Sequence, residues 1–233
     1  MILVLAGTSE GRETASRLEK EGLPVMASTA TEYGGELLAR SFTGKIISGP
    51  LQLEELVRAI KECRVRKVLD ATHPFAVDIT ENARLACSET GVAYERLERA
   101  PLEIEPGEGV IIARDTEEAL QVAAATEGTI FLTIGSNKLH HYKTVIDPAR
   151  MVVRILPLES SLEKCLDLGI PPKNIIAMQG PFDEEINYLL FKRYNASLVV
   201  SKESGSAGGT AEKISAARRL SIPLVLISRP THK

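Results

Sequence analysis

Residues 1–12 read MILVLAGTSEGR, an aliphatic run that ends in a turn of small and polar residues. Residues 2–5 have the composition of a buried strand, and residues 11–21 have the pattern of a helix. A strand joined to a helix by a glycine-containing turn is the opening unit of a parallel α/β sheet. The run has no basic segment before it and meets polar residues at once, so we do not interpret it as a secretory signal.

The same alternation of short strands and longer helices continues along the chain. The sequence predicts further strands at 25–28, 67–69, 92–96, 110–113, 129–134, 151–156, 175–178, 198–201 and 223–227. It predicts further helices at 53–62, 80–90, 116–126, 161–168, 184–194 and 211–220. Prolines and glycines interrupt the pattern at 99–109. We therefore predict an α/β protein of two Rossmann-like domains, 1–103 and 104–233, with mainly parallel sheets flanked by helices and a cleft between them.

Composition narrows the class of protein. The chain has 233 residues, 44% hydrophobic and 25% charged, with a formal net charge of -3, as in ordinary globular proteins. The negative charge argues against binding to nucleic acid, so we expect a small-molecule partner. No apolar run reaches the ~20 residues of a membrane span, and we expect a cytoplasmic protein with no membrane partner. No apolar stripe indicates an interface, so we expect a monomer or a weak homo-oligomer.

Cysteine and histidine spacing argues against a metal site or a disulfide framework. Cys63, Cys87 and Cys165 are odd in number, far apart and outside any CxxC pattern. The adjacent His140 and His141 lack further ligands at suitable spacing. We predict reduced thiols and no metal.

Ligands of open parallel sheets bind at the loops that follow the carboxyl ends of strands. In the first such loop, Gly7 and Gly11 let backbone approach a ligand, while Thr8 and Ser9 carry hydroxyls that suit phosphate. The helix that follows favours an anion at its N-terminus. The turn is not a GxGxxG fingerprint, so a tight turn in which Thr8 or Ser9 caps the helix is an equal alternative.

The second loop, residues 28–35, carries no acidic residue and no arginine directly at the strand end. Glu32 lies a few residues further on, and the next arginine is Arg40. An acidic residue there suits the ribose of NADH, whereas an arginine suits the phosphate of NADPH. The choice stays open with a slight preference for NADH, and a polar surface loop is the alternative.

The third loop, residues 70–76, contains a histidine before a proline. Pro74 fixes the chain and favours an extended His73, which would present the imidazole and Phe75 rigidly. The alternative is a helix start capped by Thr72 or Asp78, with His73 only hydrogen-bonded.

Loops at 133–139, 178–182 and 201–210 place glycines beyond strands in the second half of the chain. The preference of tight turns for glycine is enough to explain the loop at 133–139 or the loop at 178–182 when each is taken alone. In the third, Lys202, a glycine-rich stretch and a helix start suit a ligand that bears carboxylates, and a disordered surface loop is the alternative. Residues 96–101 have the composition of an ion-paired hinge, from which Arg99 could reach a ligand.

Eight segments together resemble the precorrin-6A reductases of cobalamin biosynthesis along the length of the chain. They are GTSEGR (7–12), DATHPFA (70–76), RLER (96–99), FLTIGSNKL (131–139), MQGPF (178–182), SKESG (201–205), GGTAEKI (208–214) and RP (229–230). No nucleophile elbow, Walker motif or HExxH pattern occurs, which agrees with a redox or ligand-binding role.

The resemblance implies transfer of a hydride from NADPH or NADH to a double bond of a tetrapyrrole polycarboxylate, with a proton added to the neighbouring carbon. It implies an N-terminal dinucleotide-binding domain and a C-terminal domain that completes the cofactor and macrocycle cleft. Implied cofactor-binding residues are Gly7, Thr8, Ser9, Glu10, Gly11, Ser28, Thr29, Thr72, His73, Pro74 and Phe75. Implied substrate-binding residues are Gly135, Gln179, Gly180, Lys202, Ser204 and Gly209.

Three points stay open within this resemblance. Aerobic-branch members resemble one another in an LAGRT-like second loop that suits NADPH, whereas STATEYGG at 28–35 resembles the anaerobic-branch enzymes, which act on a cobalt-containing intermediate. We expect His73, Lys202 or a water to deliver the proton. A non-catalytic nucleotide or tetrapyrrole binding protein is the main alternative, followed by another nicotinamide or nucleoside-diphosphate-sugar enzyme.

Overall fold

The computed structural model describes residues 1–97, 109–205 and 208–230. The chain divides into two compact units, Met1–Arg99 and Ala100–Lys233. The predicted boundary between residues 103 and 104, and the predicted role of Arg99, lie outside the described residues.

The first unit is a five-stranded sheet with helices between successive strands. Its strands are β1 (Ile2–Leu5), β2 (Val25–Thr29), β3 (Lys45–Ser48), β4 (Lys67–Asp70) and β5 (Ala93–Arg96). Its helices are α1 (Ser9–Lys20), α2 (Glu32–Ala39), α3 (Leu53–Glu62) and α4 (Val77–Thr90). The strand order is β3-β2-β1-β4-β5, and all four pairs are parallel. The chain therefore reverses its direction of travel across the sheet between β1 and β4, where ligands of such sheets bind.

The side chains of β1 point alternately into two separate hydrophobic cores, one on each face of the sheet. Leu3 and Leu5 pack on the face covered by α3 and α4, together with Leu56. Val4 packs on the opposite face, covered by α1, together with Leu18. Because successive side chains of a strand point to opposite faces, the uninterrupted aliphatic run suits a strand that is buried on both sides.

The second unit is a six-stranded sheet built in the same way. Its strands are β6 (Val110–Ala113), β7 (Thr129–Leu132), β8 (Met151–Ile155), β9 (Ile175–Ala177), β10 (Ala196–Lys202) and β11 (Leu224–Ile227). Its helices are α5 (Thr116–Ala125), α6 (Leu139–Lys143), α7 (Glu159–Asp167), α8 (Glu184–Arg193) and α9 (Thr210–Arg219), with short 3-10 turns at Pro148–Arg150 and Pro172–Asn174. The strand order is β6-β11-β10-β7-β8-β9, and all pairs are parallel. In this sheet the order of successive strands reverses between β7 and β10.

These two parallel sheets flanked by helices confirm the predicted fold class. Within the described ranges, no helix is long and apolar enough to cross a lipid bilayer. The predictions for α3 and β6 match the observed bounds, and most other elements agree within a few residues.

The prediction of a loop over residues 28–35 is wrong. Ser28 and Thr29 complete β2, and α2 begins at Glu32, capped by the Thr31 hydroxyl, which accepts from the Gly34 N–H at 3.0 Å. Gly34 and Gly35 of this helix permit close packing, because a Cβ on Gly35 would lie 2.2 Å from the Ser48 hydroxyl oxygen. Tertiary packing has overridden helix propensity here. The sequence also failed to predict β3 and α6.

Gly11 allows α1 to lie directly against the sheet at the point where β1 and β4 part. A Cβ on Gly11 would lie 2.9 Å from the Ala6 Cα and 3.1 Å from the Ala71 carbonyl oxygen. Both are backbone atoms, which cannot move aside as a flexible side chain would. Gly11 is therefore required by packing, whatever its part in ligand binding.

We expect Gly11→Ala to lower the free energy of unfolding by about 1 to 3 kcal/mol, because overpacking outweighs the gain in helix propensity. Gly7→Ala is the matched control, since its Cβ would meet nothing closer than 3.6 Å. Urea unfolding measures both variants, and equal stability of the two would contradict the packing role of Gly11.

Candidate functional site

The turn after β1 is fixed by the hydroxyl of Thr8, which is buried. Its oxygen accepts a hydrogen bond from the Gly11 N–H at 3.1 Å and caps α1. The same hydroxyl donates to the Ala71 carbonyl at 2.8 Å. The proton of Thr8 is thus used within the protein, and Thr8 joins the loop after β1 to the loop after β4.

The remainder of this turn is open and suits an anion. Gly7 is exposed, and a Cβ there would make only ordinary contacts with Thr72. The Ser9 hydroxyl donates to the Glu10 carboxylate at 3.0 Å. The first N–H groups of any α-helix lack intrahelical acceptors and carry partial positive charge. Gly7 and the N-terminus of α1 therefore form a surface suited to a phosphate, at the reversal point of the sheet.

Asp70 organises the loop after β4. Its side chain has no solvent exposure, and both carboxylate oxygens accept hydrogen bonds. Oδ1 accepts from the Thr72 N–H (3.0 Å) and hydroxyl (2.7 Å), and Oδ2 accepts from the hydroxyls of Thr80 (2.8 Å) and Tyr94 (2.8 Å) and from Arg96 Nη1 (2.5 Å). This carboxylate joins the end of β4, the start of α4 and β5.

The ionised form of Asp70 is favoured despite its burial. Burial alone would raise the pKa of Asp70, but the hydrogen bonds from Thr72 and Thr80 and the charge of Arg96 outweigh it and hold the pKa below the ordinary 3.8. Burial and the neighbouring carboxylate raise the pKa of Tyr94 to about 12. At neutral pH the network therefore contains an ion pair between the carboxylate of Asp70 and the guanidinium of Arg96.

His73 lies on the turn that this network supports. Its Nδ1 accepts a hydrogen bond from the Phe75 N–H at 3.2 Å, and its carbonyl accepts from the Ala76 N–H at 2.8 Å. Pro74 is buried, and the rings of His73 and Phe75 are 5.7 Å apart. Because Nδ1 is an acceptor, the proton of the neutral imidazole lies on Nε2. The alternative that Thr72 caps the following helix is wrong, because the N-cap of α4 is Ala76 and has no side-chain cap bond.

Ser28 and Thr29, at the end of β2, are both buried. The two residues are 6% and 2% exposed. The Thr29 hydroxyl donates to the Thr31 carbonyl at 3.0 Å, and the Ser28 carbonyl accepts from the Ala6 N–H at 2.7 Å. The exposed residues at this strand end are 30–32. Ser28 and Thr29 thus shape the turn, and residues 30–32 form its outer surface.

Two loops of the second unit leave the sheet at its own reversal point. After β7, the Thr133 N–H and hydroxyl donate to the Val200 carbonyl of β10 at 2.9 and 3.1 Å. Gly135 follows with φ at +77°, and no atom lies within 4 Å of the position of a Cβ. Its backbone conformation, not crowding, accounts for the glycine.

Lys202 ends β10 on the opposite side of the same reversal point. It is partly buried, and burial together with the charge of Lys138 lowers its pKa. Lys138 is exposed and precedes α6, in the loop that follows β7. Two ammonium groups near the ends of neighbouring strands suit a ligand that carries carboxylates.

The loop after β10 is held by buried polar contacts. Glu203 forms an ion pair with Arg229 and accepts from the Gly205 N–H at 2.8 Å. Ser204 is buried, and its N–H donates to the Thr210 hydroxyl at 3.2 Å. The loop is thereby fixed to the start of α9.

The other predicted substrate residues lie near the loop after β9. Gln179 and Gly180 are exposed, whereas Gly209 is buried and has φ at +68°. A Cβ on Gly209 would lie 3.5 Å from the Phe182 carbonyl oxygen. The structure thus brings Gly209 against the 178–182 loop, although β9 and β10 are not neighbours in the sheet. Among the described residues, no three His, Cys, Asp or Glu side chains are grouped to hold a metal ion.

The fold defines a doubly wound parallel α/β protein, with loops at the reversal points of both sheets, where ligands of this class of protein bind. All 233 residues match the family model described as "Precorrin-6x reductase CbiJ/CobK". The chain belongs to this family of reductases.

Named relatives agree with this membership. The chain is 41% identical to the cobalt-precorrin-6A reductase of Methanothermobacter thermautotrophicus, over 98% of this chain and 76% of the relative. It is 39% identical to that of Priestia megaterium, over 99% of this chain and 91% of the relative. A solved structure of a CobK precorrin-6A reductase superposes with a TM-score of 0.81 at 27% identity, covering 100% of this chain and 89% of that one.

Sequence reasoning singled out His73 and Lys202 but missed Asp70 and Arg96 as the support of the first site. Asp70 ends a buried strand and is followed by Thr72, a pattern that indicates a carboxylate hydrogen-bonded to its own loop. Nothing in the local sequence around Arg96 indicates that it reaches Asp70.

We expect Asp70→Asn to lower the free energy of unfolding by about 3 to 5 kcal/mol at pH 7, because Arg96 is left buried without its carboxylate. Since folding lowers the pKa of Asp70, its stabilisation is present above 3.8 and is lost as the pH falls through the folded value. Urea unfolding from pH 7 to pH 3 should show the difference between the two proteins shrinking below pH 4. A constant difference would contradict the ionised state of Asp70.

Proposed function

We propose that this chain reduces a tetrapyrrole polycarboxylate, cobalt-precorrin-6A, with NADH as the preferred cofactor. The observation that carries the proposal is the arrangement at the reversal point of the first sheet. There an exposed glycine turn and a helix N-terminus lie beside the rigid His73 loop, joined by the Thr8 hydroxyl. Family membership supports the reaction type, and the two relatives named above support the cobalt-containing substrate.

The first unit fits a dinucleotide. Gly7 leaves room for a pyrophosphate beside the backbone, and residues 9–11 begin the helix whose N-terminus favours its charge. Gly11 brings that helix against the sheet, as the third glycine of a dinucleotide fingerprint does. Thr72, His73, Pro74 and Phe75 would line the nicotinamide side. When bound, a reduced nicotinamide supplies the hydride for the substrate double bond.

The preference for NADH rests on the exposed surface after β2. Residues 30–32 form that surface, and Glu32 is exposed within it. A carboxylate accepts hydrogen bonds from ribose hydroxyls and repels a ribose phosphate. Glu32 therefore favours NADH over NADPH.

Saturating a carbon–carbon double bond requires a proton in addition to the hydride. We propose Lys202 as its source, because partial burial and Lys138 weaken its hold on the proton. Loss of the proton leaves a neutral amine, which a partly buried site tolerates better than a cation. His73 then orients ligand groups by donating from Nε2.

Anaerobic absorbance spectroscopy tests the function directly. The purified chain is mixed with cobalt-precorrin-6A, or with metal-free precorrin-6A, in separate samples that contain NADH or NADPH. We expect loss of the reduced-nicotinamide band together with a shift of the macrocycle bands, fastest with NADH and the cobalt form. Binding of both ligands without any loss of the nicotinamide band would favour the non-catalytic binding protein instead.

We expect Gly7→Ala to raise the KM for the dinucleotide by about tenfold or more, because an added methyl group occupies the surface where the pyrophosphate approaches. Its unfolding free energy should change by less than about 0.5 kcal/mol, since the position has room within the protein itself. Steady-state kinetics with each substrate varied in turn measures the effect. An unchanged KM for the dinucleotide would contradict the placement of the cofactor.

Lys138→Met should move the alkaline limb of the profile of kcat/KM against pH to higher pH. A lysine donor acts only while protonated, so activity falls as the pH rises through the pKa of Lys202. Removing the neighbouring charge of Lys138 raises that pKa. Lys143→Met, an exposed lysine on α6, is the matched control and should leave the limb in place.

Lys202→Met should lower the single-turnover rate by about 10²- to 10⁴-fold, the usual contribution of a positioned general acid. Lys202 would be excluded as the proton donor if this variant kept the wild-type rate and if Lys138→Met left the alkaline limb of the pH profile in place.

A further inference from the structure

Two cations are buried in the second unit and, among its described residues, have only neutral hydrogen-bond partners. Arg154 on β8 is 7% exposed and Lys213 on α9 is 8% exposed. Arg154 donates to the Asn187 side-chain oxygen at 2.8 Å, and Lys213 donates to the Gly208 carbonyl at 2.9 Å. Within residues 109–205 and 208–230, no carboxylate forms an ion pair with either one.

Burial without a paired carboxylate is costly for a cation, and proteins seldom retain two together. The pKa values show this cost. Burial lowers the pKa of Lys213 to about 8, with the charge of Arg154 lowering it further and Glu212 opposing. Burial also lowers the pKa of Arg154 to about 10. An added anion would relieve both cations.

The two cations approach the surface at the ligand-binding edge of the second sheet. Arg154 is the next-to-last residue of β8, and its guanidinium lies 4.2 Å from the centre of the half-buried Phe182 ring. Lys213 lies in the first turn of α9 and reaches the turn at Gly208. Asn187, with its side-chain amide donating to the Phe182 and Asp183 carbonyls, holds the intervening loop in place.

We propose that Arg154 and Lys213 bind one carboxylate side arm of the macrocycle, an inference that rests on the proposed function. Neither residue was among the substrate residues implied by the sequence. Arg154 contacts the Phe182 ring, the Phe182 carbonyl oxygen lies 3.5 Å from the Cβ position of Gly209, and Lys213 donates to the neighbouring Gly208. A guanidinium and an ammonium that meet at one such loop contact can bond the two oxygens of a carboxylate.

The carboxylate of Glu212 reduces the net positive charge of this site, which determines the charge of ligand that the site favours. Its Oε2 is buried and has no hydrogen-bond partner, and it would lie 3.7 Å from a Cβ on Gly209. Two cations and this carboxylate leave one net positive charge. That balance suits a monoanionic carboxylate better than a phosphate dianion.

The first test is steady-state kinetics of Lys213→Met. We expect the KM for cobalt-precorrin-6A to rise about 10- to 100-fold, the usual effect of losing a hydrogen bond to a charged group, with the KM for NADH within about twofold of wild type. The melting temperature should be equal or higher, because a buried charge has been removed. Lys173→Met, an exposed lysine, is the matched control.

Two outcomes would overturn the assignment. A lower melting temperature with an unchanged macrocycle KM would mean that Lys213 only supports the Gly208 turn. A raised KM for NADH with an unchanged macrocycle KM would mean that the bound anion is a phosphate of the dinucleotide.

The second test needs no turnover. Lysine labelled with ¹³C at Cε reports each ammonium group by NMR, and the Lys213 signal is assigned by its loss in Lys213→Met. We expect tricarballylate to raise the pKa of Lys213, because an adjacent carboxylate stabilises the ammonium, and inorganic phosphate at equal ionic strength to raise it less. An unchanged pKa with tricarballylate would overturn the site. If tricarballylate raises the pKa but no macrocycle is reduced, the anion site stands and the proposed reductase function fails.

Discussion

The carboxylate of Asp70 has no contact with solvent, and three segments of the first unit are arranged around it. The loop that carries Thr72, the helix that carries Thr80 and the strand that carries Arg96 each donate a hydrogen bond to it. An ionised buried carboxylate is stable only while these donors stay in place, so the loop between β4 and α4 has little freedom to adopt another conformation. The rigid presentation of His73 follows from this constraint more than from Pro74 alone.

The two candidate sites differ in how their buried charged groups are paired. In the first, the guanidinium of Arg96 is matched by a carboxylate, and the ligand-facing surface consists of backbone and a helix N-terminus. In the second, Glu203 is paired with Arg229, whereas Arg154 and Lys213 have only neutral hydrogen-bond partners among the described residues. A surface of backbone N–H groups would suit a cofactor held through its pyrophosphate, whereas a local group of cations without paired carboxylates would suit a polycarboxylate.

The sequence predicted the elements whose cause is local. The helix α3 has a strong apolar period with capping residues at its start, and its predicted bounds match the structure. The helix α2 was missed because Gly34 and Gly35 have low helix propensity. Glycine is needed at these positions because they pack closely against Thr29 and Ser48, which lie elsewhere in the sequence. His73 and Lys202 were singled out because each lies near the end of a strand, and their roles stay predictions.

Thr80, Tyr94 and Arg96 could not be predicted as partners of Asp70 from local pattern, since they lie 10 to 26 residues away. Arg154 and Lys213 were missed because burial of a charge is decided by packing. The Thr8 hydroxyl has a further consequence, because it touches both loops at the reversal point of the first sheet. The two loops are thereby fixed to each other before any ligand binds, so a ligand that contacts both would find them already ordered. Such pre-ordering lowers the conformational entropy that the protein loses on binding.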